Sequence, residues 1–253
     1  TPGWPARWQI VPHGHSLPGV TGTTPATSPA LSLTERRKAE TRMAVARAAA
    51  GLFVRRGLRA TRAEDIAQAA GIAPRTFYRY FAVKEEAVAP LYEAGALRWT
   101  EAVSAAPAGM SVPEALAAAV RHTLTPGMGV SAGSWEWMRT LIRLAGSEPA
   151  LRRVWAEVGQ ASERQLAEVL ARRVTAPRRV GGPGALDASD NVAVPVRLRY
   201  AAAVASAAVR TAVEAWAAGE APPEGAQGPA ELALGNLGCL RGFPWEELTS
   251  GGE

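Results

Sequence analysis

Residues 61–81, TRAEDIAQAAGIAPRTFYRYF, carry the helix start and stop signals that most constrain how this chain folds. Thr61 and Glu64 have the S/T-x-x-E spacing of a capping box, which predicts the start of a helix. Gly71 marks the end of that helix, and Pro74 suits the first position of another, where its missing N–H needs no partner. The spacing therefore predicts two short helices joined by a tight turn that contains glycine, a helix-turn-helix.

The second of these helices, running to about Phe81, has two chemically different faces. Phe77 and Phe81 lie four residues apart, so we expect both to face a core. The other side chains are of types that bond to bases and phosphates, namely an arginine, hydroxyl groups and tyrosine rings. They are Arg75, Thr76, Tyr78 and Tyr80. Two interpretations follow: this face contacts nucleic acid, or the tyrosines simply cover the domain.

Positive charge is concentrated around the same helices. Residues 35–90 contain twelve Lys or Arg against six Asp or Glu, whereas residues 91–253 contain fifteen against seventeen. A basic segment joined to a near-neutral one is typical of a nucleic-acid-binding module attached to a different domain. A solvated charged face is the simpler alternative, but the capped helices and the turn glycine favour DNA binding.

A longer helix is predicted before this pair. Thr34 is a candidate cap, and Val45 and Phe53 fall on one apolar face at helical spacing. Gly57 follows two arginines and is expected to end the helix. Residues 1–33 are rich in Pro, Gly, Thr and Ser without a helical or strand period, so we expect a poorly ordered tail.

The remainder of the chain also predicts helices, so the expected fold class is all-α. Ser111 and Glu114 form a second capping-box pattern, and a long helix is expected from Pro149. A loop is expected over 175–194, followed by helices at about 195–218 and 229–241. The first of these two carries small residues that allow another helix to approach closely: Ala201, Ala205, Ala208 and Ala212.

The stretch LRATRAEDIAQAAGIAPRTFYRYFAVKEEAV resembles the DNA-binding domain of the tetracycline-repressor (TetR) family of bacterial transcription regulators. The resemblance implies an N-terminal three-helix domain at 34–92, with its helix-turn-helix over 62–81, and a C-terminal ligand-sensing and dimerisation domain at 93–245. It also implies a homodimer, joined by the last two helices of each subunit, that binds a palindromic DNA operator in the cytoplasm. The implied function is a repressor released by a small-molecule effector.

The same resemblance assigns roles by position. Arg75, Thr76, Tyr78 and Tyr80 match the positions of the recognition helix that contact the operator, and Lys84 matches a lysine that contacts phosphate. Thr61 and Arg62 open the second helix and are candidates for backbone contacts, although a helix cap is the more ordinary role for Thr61.

Two residues depart from the family pattern. Val83 stands where the family commonly has a small polar cap, so the start of the fourth helix either frays or borrows a partner. Pro90 is expected in the interior of that helix, where it removes a hydrogen bond and bends the axis.

A predicted helix around residues 135–145 is apolar on more than one packing face. Its surface and that of neighbouring helices give candidate pocket residues: Trp99, Trp135, Met138, Leu141, Ile142 and Trp155. A packed core explains the same pattern equally well. Arg139 and Arg143 are candidate anchors for an anionic head group. The segment WEWMRTLIRLAGSEPALRRVWAEV also resembles TetR regulatory domains assigned an acyl-CoA-like ligand, so the effector expected is acyl-CoA or another hydrophobic compound.

Other classes of function find little support. His13, His15 and His122 do not cluster with Cys239 or carboxylates at metal-ligand spacing, and no G-x-S-x-G, phosphate loop or dinucleotide fingerprint is present. We therefore expect no enzyme, metal or cofactor. No apolar run is long enough to span a membrane, and a single cysteine suits a reducing cytoplasm. The alternative function is a helix-turn-helix protein that binds DNA without a small-molecule ligand.

Overall fold

The computed structural model describes residues 32–127, 132–175, 194–238 and 242–243. The regular elements within these ranges are all helices, which confirms the all-α fold class. In chain order they are α1 (Leu33–Arg56), α2 (Ala63–Ala69), α3 (Pro74–Tyr80), a short 3-10 helix (Lys84–Val88), α4 (Ala89–Ala105), α5 (Val112–Leu124), α6 (Ala132–Ser147), α7 (Pro149–Thr175), α8 (Val196–Ala218) and α9 (Pro229–Gly238). The expected tail and the expected loop over 175–194 lie almost entirely outside the described residues.

The start of α1 corrects the cap expected from the sequence. Ser32, not Thr34, caps this helix, because the Ser32 hydroxyl accepts a hydrogen bond from the Glu35 amide at 3.2 Å. Thr34 already lies inside the helix. The far end agrees with the expectation: Gly57 follows Arg56 with a positive φ of 80°, and its amide donates to the Phe53 carbonyl at 2.9 Å.

The start of α2 also differs from the expected capping box. The Thr61 side chain is fully buried, and its hydroxyl donates to the Gly57 carbonyl at 2.8 Å, so it does not cap α2. Arg62 immediately precedes α2 as its N-cap residue, and its amide donates to the Asp65 carboxylate at 3.0 Å. The carboxylate that satisfies the helix start therefore comes from Asp65, one residue later than the sequence pattern predicts.

The link from α3 to α4 is a 3-10 turn rather than the start of one long helix. The expectation that Pro90 bends a helix interior is wrong, since α4 begins at Ala89 and Pro90 occupies its second position. A proline there removes no hydrogen bond, because the first amides of a helix have no partner within it. Val83 provides no side-chain cap, as expected, and the Glu86 carboxylate instead accepts from the Ala82 amide at 2.8 Å.

One apolar cluster joins the N-terminal helices to the C-terminal part of the chain. Phe53 and Phe77, from the core of α1–α3, belong to the same cluster as Tyr92 of α4. Leu141 of α6 and Val158 of α7 complete it from the other side. Side-chain packing is therefore continuous across the domain boundary that the sequence predicts near residue 92.

A second cluster holds α4, α5, α7, α8 and α9 together. Ala201, Ala205 and Ala212 of α8 are buried in it, alongside Ala233 and Leu237 of α9. The close helix approach expected from the alanines is present, but the partners are helices of the same chain. The described helices include none that is both long and apolar enough to cross a membrane.

Candidate nucleic-acid interface and apolar cavity

Helix α3 separates an apolar face from an exposed polar face. Phe77 is completely buried and Phe81 is 3% exposed, with their rings 5.4 Å apart. Tyr78, the next residue after Phe77, is 53% exposed, and Arg75 is also exposed. Because the phenylalanines fix the rotation of this helix, its other side presents Arg75 and Tyr78 to solvent.

A carboxylate connects the exposed face of α3 to the start of α2. Glu64 lies 3.7 Å from the Arg62 guanidinium, and the Tyr78 hydroxyl lies 3.5 Å from the other Glu64 oxygen. These two contacts place Arg62, Glu64 and Tyr78 on one exposed surface. The sequence pattern predicts a capping role for Glu64 but not its place on this surface, because its contact with Tyr78 spans 14 residues.

The other two predicted recognition residues are less accessible. Thr76 and Tyr80 are both half-buried, and Tyr80 packs against the core of the N-terminal helices. Arg79 is exposed and its guanidinium lies 5.2 Å from the centre of the Tyr80 ring. Arg79 was not among the predicted contacts, although its position next to Tyr80 gives this edge of α3 a second cation.

Lys84 and Thr61 lie together beneath this surface. The Lys84 ammonium donates to the carbonyls of Leu58 and Thr61, each at 2.8 Å, and so ties the 3-10 helix to the loop between α1 and α2. Two of its three donors are used inside the protein, so one remains for the phosphate contact that the family resemblance implies. The Thr61 side chain is fully buried, so a contact of this residue with the DNA backbone has to use its main chain.

A cavity of about 690 Å³ lies among α4, α5, α6, α7 and α8. Five of the six predicted pocket residues line it: Trp99, Met138, Leu141, Ile142 and Trp155. Trp135 does not. It is 2% exposed and packs edge-on against Trp216, with ring centres 5.5 Å apart, so it belongs to the solid core beside the cavity. Trp137, two residues further along α6, lines the cavity instead.

Ten of the residues that line this mainly apolar cavity are polar or charged, and most of these ten lie on α7 and α8. The Trp155 indole N–H donates to the Glu214 carboxylate at 2.7 Å, and Arg210 lies 3.6 Å from the same carboxylate oxygen. Ser206 also lines the cavity, and its hydroxyl oxygen is buried without a hydrogen-bond partner. Such an unpaired buried hydroxyl costs free energy until an acceptor or donor fills the space beside it.

The two arginines expected to anchor an anionic head do not line this cavity. Arg139 is 8% exposed, with its guanidinium 4.3 Å from the centre of the Trp216 ring and bonded to the Ala221 carbonyl. Arg143 pairs with Glu220 at 2.6 Å and also donates to carbonyls at the end of α8. Both side chains instead fasten α6 to the segment that follows α8.

Tyr92 connects the cavity wall to the core of the N-terminal helices. Its hydroxyl donates to the Leu141 carbonyl at 3.1 Å, and its ring packs edge-on against Trp155 with centres 5.0 Å apart. Burial raises the pKa of the Tyr92 phenol, so this donor stays protonated at physiological pH. A change at Leu141 or Trp155 therefore reaches α4 through direct contacts.

Among the described residues, no group of three or more His, Cys, Asp or Glu side chains is arranged to hold a metal ion.

The sequence matches proteins of known class. The family model described as bacterial regulatory proteins, tetR family, matches residues 46–89, which include the second part of α1 and all of α2, α3 and the 3-10 helix. The HTH-type transcriptional regulator TcmR of Streptomyces glaucescens is 30% identical over 158 residues, covering 60% of this chain and 69% of TcmR.

Solved structures with related helical arrangements include a TetR-family regulator from Rhodococcus sp., with a TM-score of 0.48 and 19% identity over 79% of this chain and 98% of that one. Thermus thermophilus FadR, a TetR-family repressor solved in complex with lauroyl-CoA, gives a TM-score of 0.48 and 25% identity over 79% of this chain and 92% of its own.

Proposed function

The chain belongs to the tetR family of bacterial regulatory proteins, and we propose that it is a repressor that binds a palindromic operator as a homodimer and is released by a small, largely apolar ligand. Proteins of this family are DNA-binding transcription regulators rather than enzymes. The proposed place of action is the bacterial cytoplasm, where the operator DNA lies.

The two-faced α3 helix is the observation that supports the DNA contacts. Buried Phe77 and Phe81 hold the helix so that Arg75 and Tyr78 face outwards. An arginine in the major groove can donate two hydrogen bonds to guanine, and a tyrosine can contact phosphate or the thymine methyl group. Arg62 extends the basic surface to the start of α2, where backbone contacts are expected.

The dimer is proposed to form through the outer sides of α8 and α9. The alanine face of α8 is already buried within the chain, so a partner subunit has to use the opposite side. Val196 and Tyr200 lie there with 70% and 60% exposure, and the Tyr200 ring stacks on Phe243 at 5.8 Å between centres. Large exposed apolar side chains of this kind are typical of protein contact surfaces.

The ligand is proposed to occupy the 690 Å³ cavity. A volume of this size, with a mainly apolar and aromatic lining, suits a drug-sized hydrophobic molecule, including an acyl chain. Tyr92 supports coupling to DNA, since it touches the cavity and also belongs to the cluster that contains Phe53 and Phe77. Release of DNA requires that the ligand bind more tightly to the arrangement of helices that cannot fit the operator.

Selection of bound DNA from a random pool tests the proposal. We expect a palindromic sequence, because a dimer places two recognition helices about 34 Å apart, or a multiple of that, in successive major grooves. Recovery of an unsymmetrical site bound by a monomer would contradict the dimer.

A thermal-shift screen with hydrophobic small molecules then separates a ligand-responsive repressor from a helix-turn-helix protein without a ligand. A stabilising compound that also lowers operator affinity supports the first. A screen in which compounds bind without changing operator affinity would refute the coupling.

A further inference from the structure

A second cavity of about 330 Å³ lies beside the first, between the end of α6, the first turns of α7 and the end of α8. The two cavities share part of their walls: Ile142, Arg152, Trp155 and Glu214 line both. Gly146 and Ala218 line only the second cavity and are exposed, so this cavity reaches the protein surface.

Trp155 and Glu214 are in contact within this shared wall. Trp155 is held there by the hydrogen bond from its indole to Glu214 at 2.7 Å and by the edge contact with Tyr92. The indole is only half-buried. A rotation of Trp155 has to break this hydrogen bond and the contact with Tyr92.

The charges at this wall are not balanced. Glu214 is offset by Arg210, and Arg143, the other cation lining the second cavity, is paired with Glu220. Arg152 donates to the Gly146 carbonyl, but no carboxylate of the described residues pairs with it. Arg152 is therefore an exposed cation with free donors that lines both cavities.

We propose that the two cavities form one bipartite ligand site for an elongated amphiphile. Its apolar body occupies the larger cavity, and its anionic end passes Trp155 and binds Arg152 in the smaller one. This inference rests on the proposed function, since it concerns the ligand of the same regulator, but it adds a subsite, an anchoring residue and a chemical class.

Glycines in each cavity allow the parts of the site to be blocked separately. Gly146 lines only the smaller cavity and Gly159 only the larger, and a Cβ added at either meets no atom within 4 Å. Both lie in helices, where leucine is a better helix former than glycine, so Gly146→Leu and Gly159→Leu are expected to fold.

Decanoate and its uncharged methyl ester serve as the two probes, followed by tryptophan fluorescence and by operator release. The wild-type protein should bind decanoate about tenfold more tightly than the ester, as a charge-assisted contact with Arg152 predicts. Gly146→Leu and Arg152→Gln should remove this preference, whereas Gly159→Leu should weaken both probes. Arg153→Gln is the matched control, because Arg153 is the exposed neighbour that pairs with Glu157 and lines neither cavity.

The proposal is overturned if Gly146→Leu and Arg152→Gln keep the wild-type preference for decanoate, or if the wild-type protein binds neither probe. Thermal melting checks folding, and Arg152→Gln gives a second route should Gly146→Leu fail to fold. Operator binding measured without any probe tests the proposed repressor function separately. A protein that binds its operator but neither probe would overturn the bipartite site and leave the repressor function standing.

Discussion

Arg75 stands on the exposed face of α3, fixed there by the burial of Phe77 two positions later. If it reads a base, Arg75→Ala should cost about 1–3 kcal/mol of operator binding and relax the sequence preference at one position of each half-site. Competition binding with single-base operator variants measures both effects. A uniform loss of affinity for all sequences would instead assign Arg75 to phosphate.

Lys84 is expected to stabilise the folded protein rather than to bind DNA phosphate. Lys84→Met removes the hydrogen bonds that tie the 3-10 helix to the carbonyls of Leu58 and Thr61, so the thermal midpoint should fall by several degrees. The salt dependence of operator binding should keep its slope. If the salt-dependence slope fell by about one unit while the thermal midpoint stayed unchanged, Lys84 would instead be assigned the phosphate contact that the family resemblance implies.

The sequence reveals the type of such residues but not always their partners. The outward direction of Arg75 follows from local helical spacing with Phe77 and Phe81. The bonds of Lys84 and the contact between Glu64 and Tyr78 link residues 14 to 26 positions apart, and these depend on how separate helices pack. No local pattern predicts them.

At the scale of single elements, the start of α5 gives a pH-dependent prediction. The Ser111 hydroxyl and amide donate to the Glu114 carboxylate at 2.7 and 2.9 Å, and these hydrogen bonds hold the pKa of Glu114 below its usual value. A lowered folded-state pKa means that the stabilisation is present above the unfolded pKa and is lost as pH falls through the folded one.

Glu114→Gln should therefore lower the thermal midpoint at neutral pH by a few degrees, and this difference should shrink as the pH falls below the ordinary glutamate pKa of 4.5. Melting curves from pH 7 to pH 3 measure it, with Glu101→Gln on the surface of α4 as the control. A difference that persists unchanged at the lowest pH would mean that the carboxylate charge has no part in the cap.

Element positions were largely predictable because glycine and proline have strong local effects, as Gly57 and Pro74 show. Helix starts were less predictable. Thr34 lies inside α1 and does not cap it, Thr61 is buried and does not cap α2, and Pro90 occupies the second position of α4 rather than a helix interior. Several residues near a helix start can satisfy its first amides, and tertiary burial decides among them, as it does for Thr61. Apolar periodicity likewise could not distinguish Trp135 in the packed core from Trp137 at the cavity.

For the whole molecule, deletion of residues 1–30 is expected to leave folding and dimerisation intact. The described residues 32–40, where α1 begins, are all exposed, which gives no sign of a packing surface for the preceding segment. A thermal midpoint lowered by more than about 4 °C, or a monomer in sedimentation, would show that the tail packs against the protein. Operator affinity is measured separately, because the deletion ends just before α1, a helix of the proposed DNA-binding domain.

The apolar cluster shared by the N-terminal helices with α6 and α7 limits how this regulator can be re-engineered. Exchanging residues 32–88 for the equivalent segment of a relative would bring a foreign surface against Leu141, Leu151 and Val158. A hybrid that gains a new operator but keeps the proposed response to a ligand has to preserve that junction, so grafting only the solvent-facing side chains of α2 and α3 is the safer route to a retargeted biosensor.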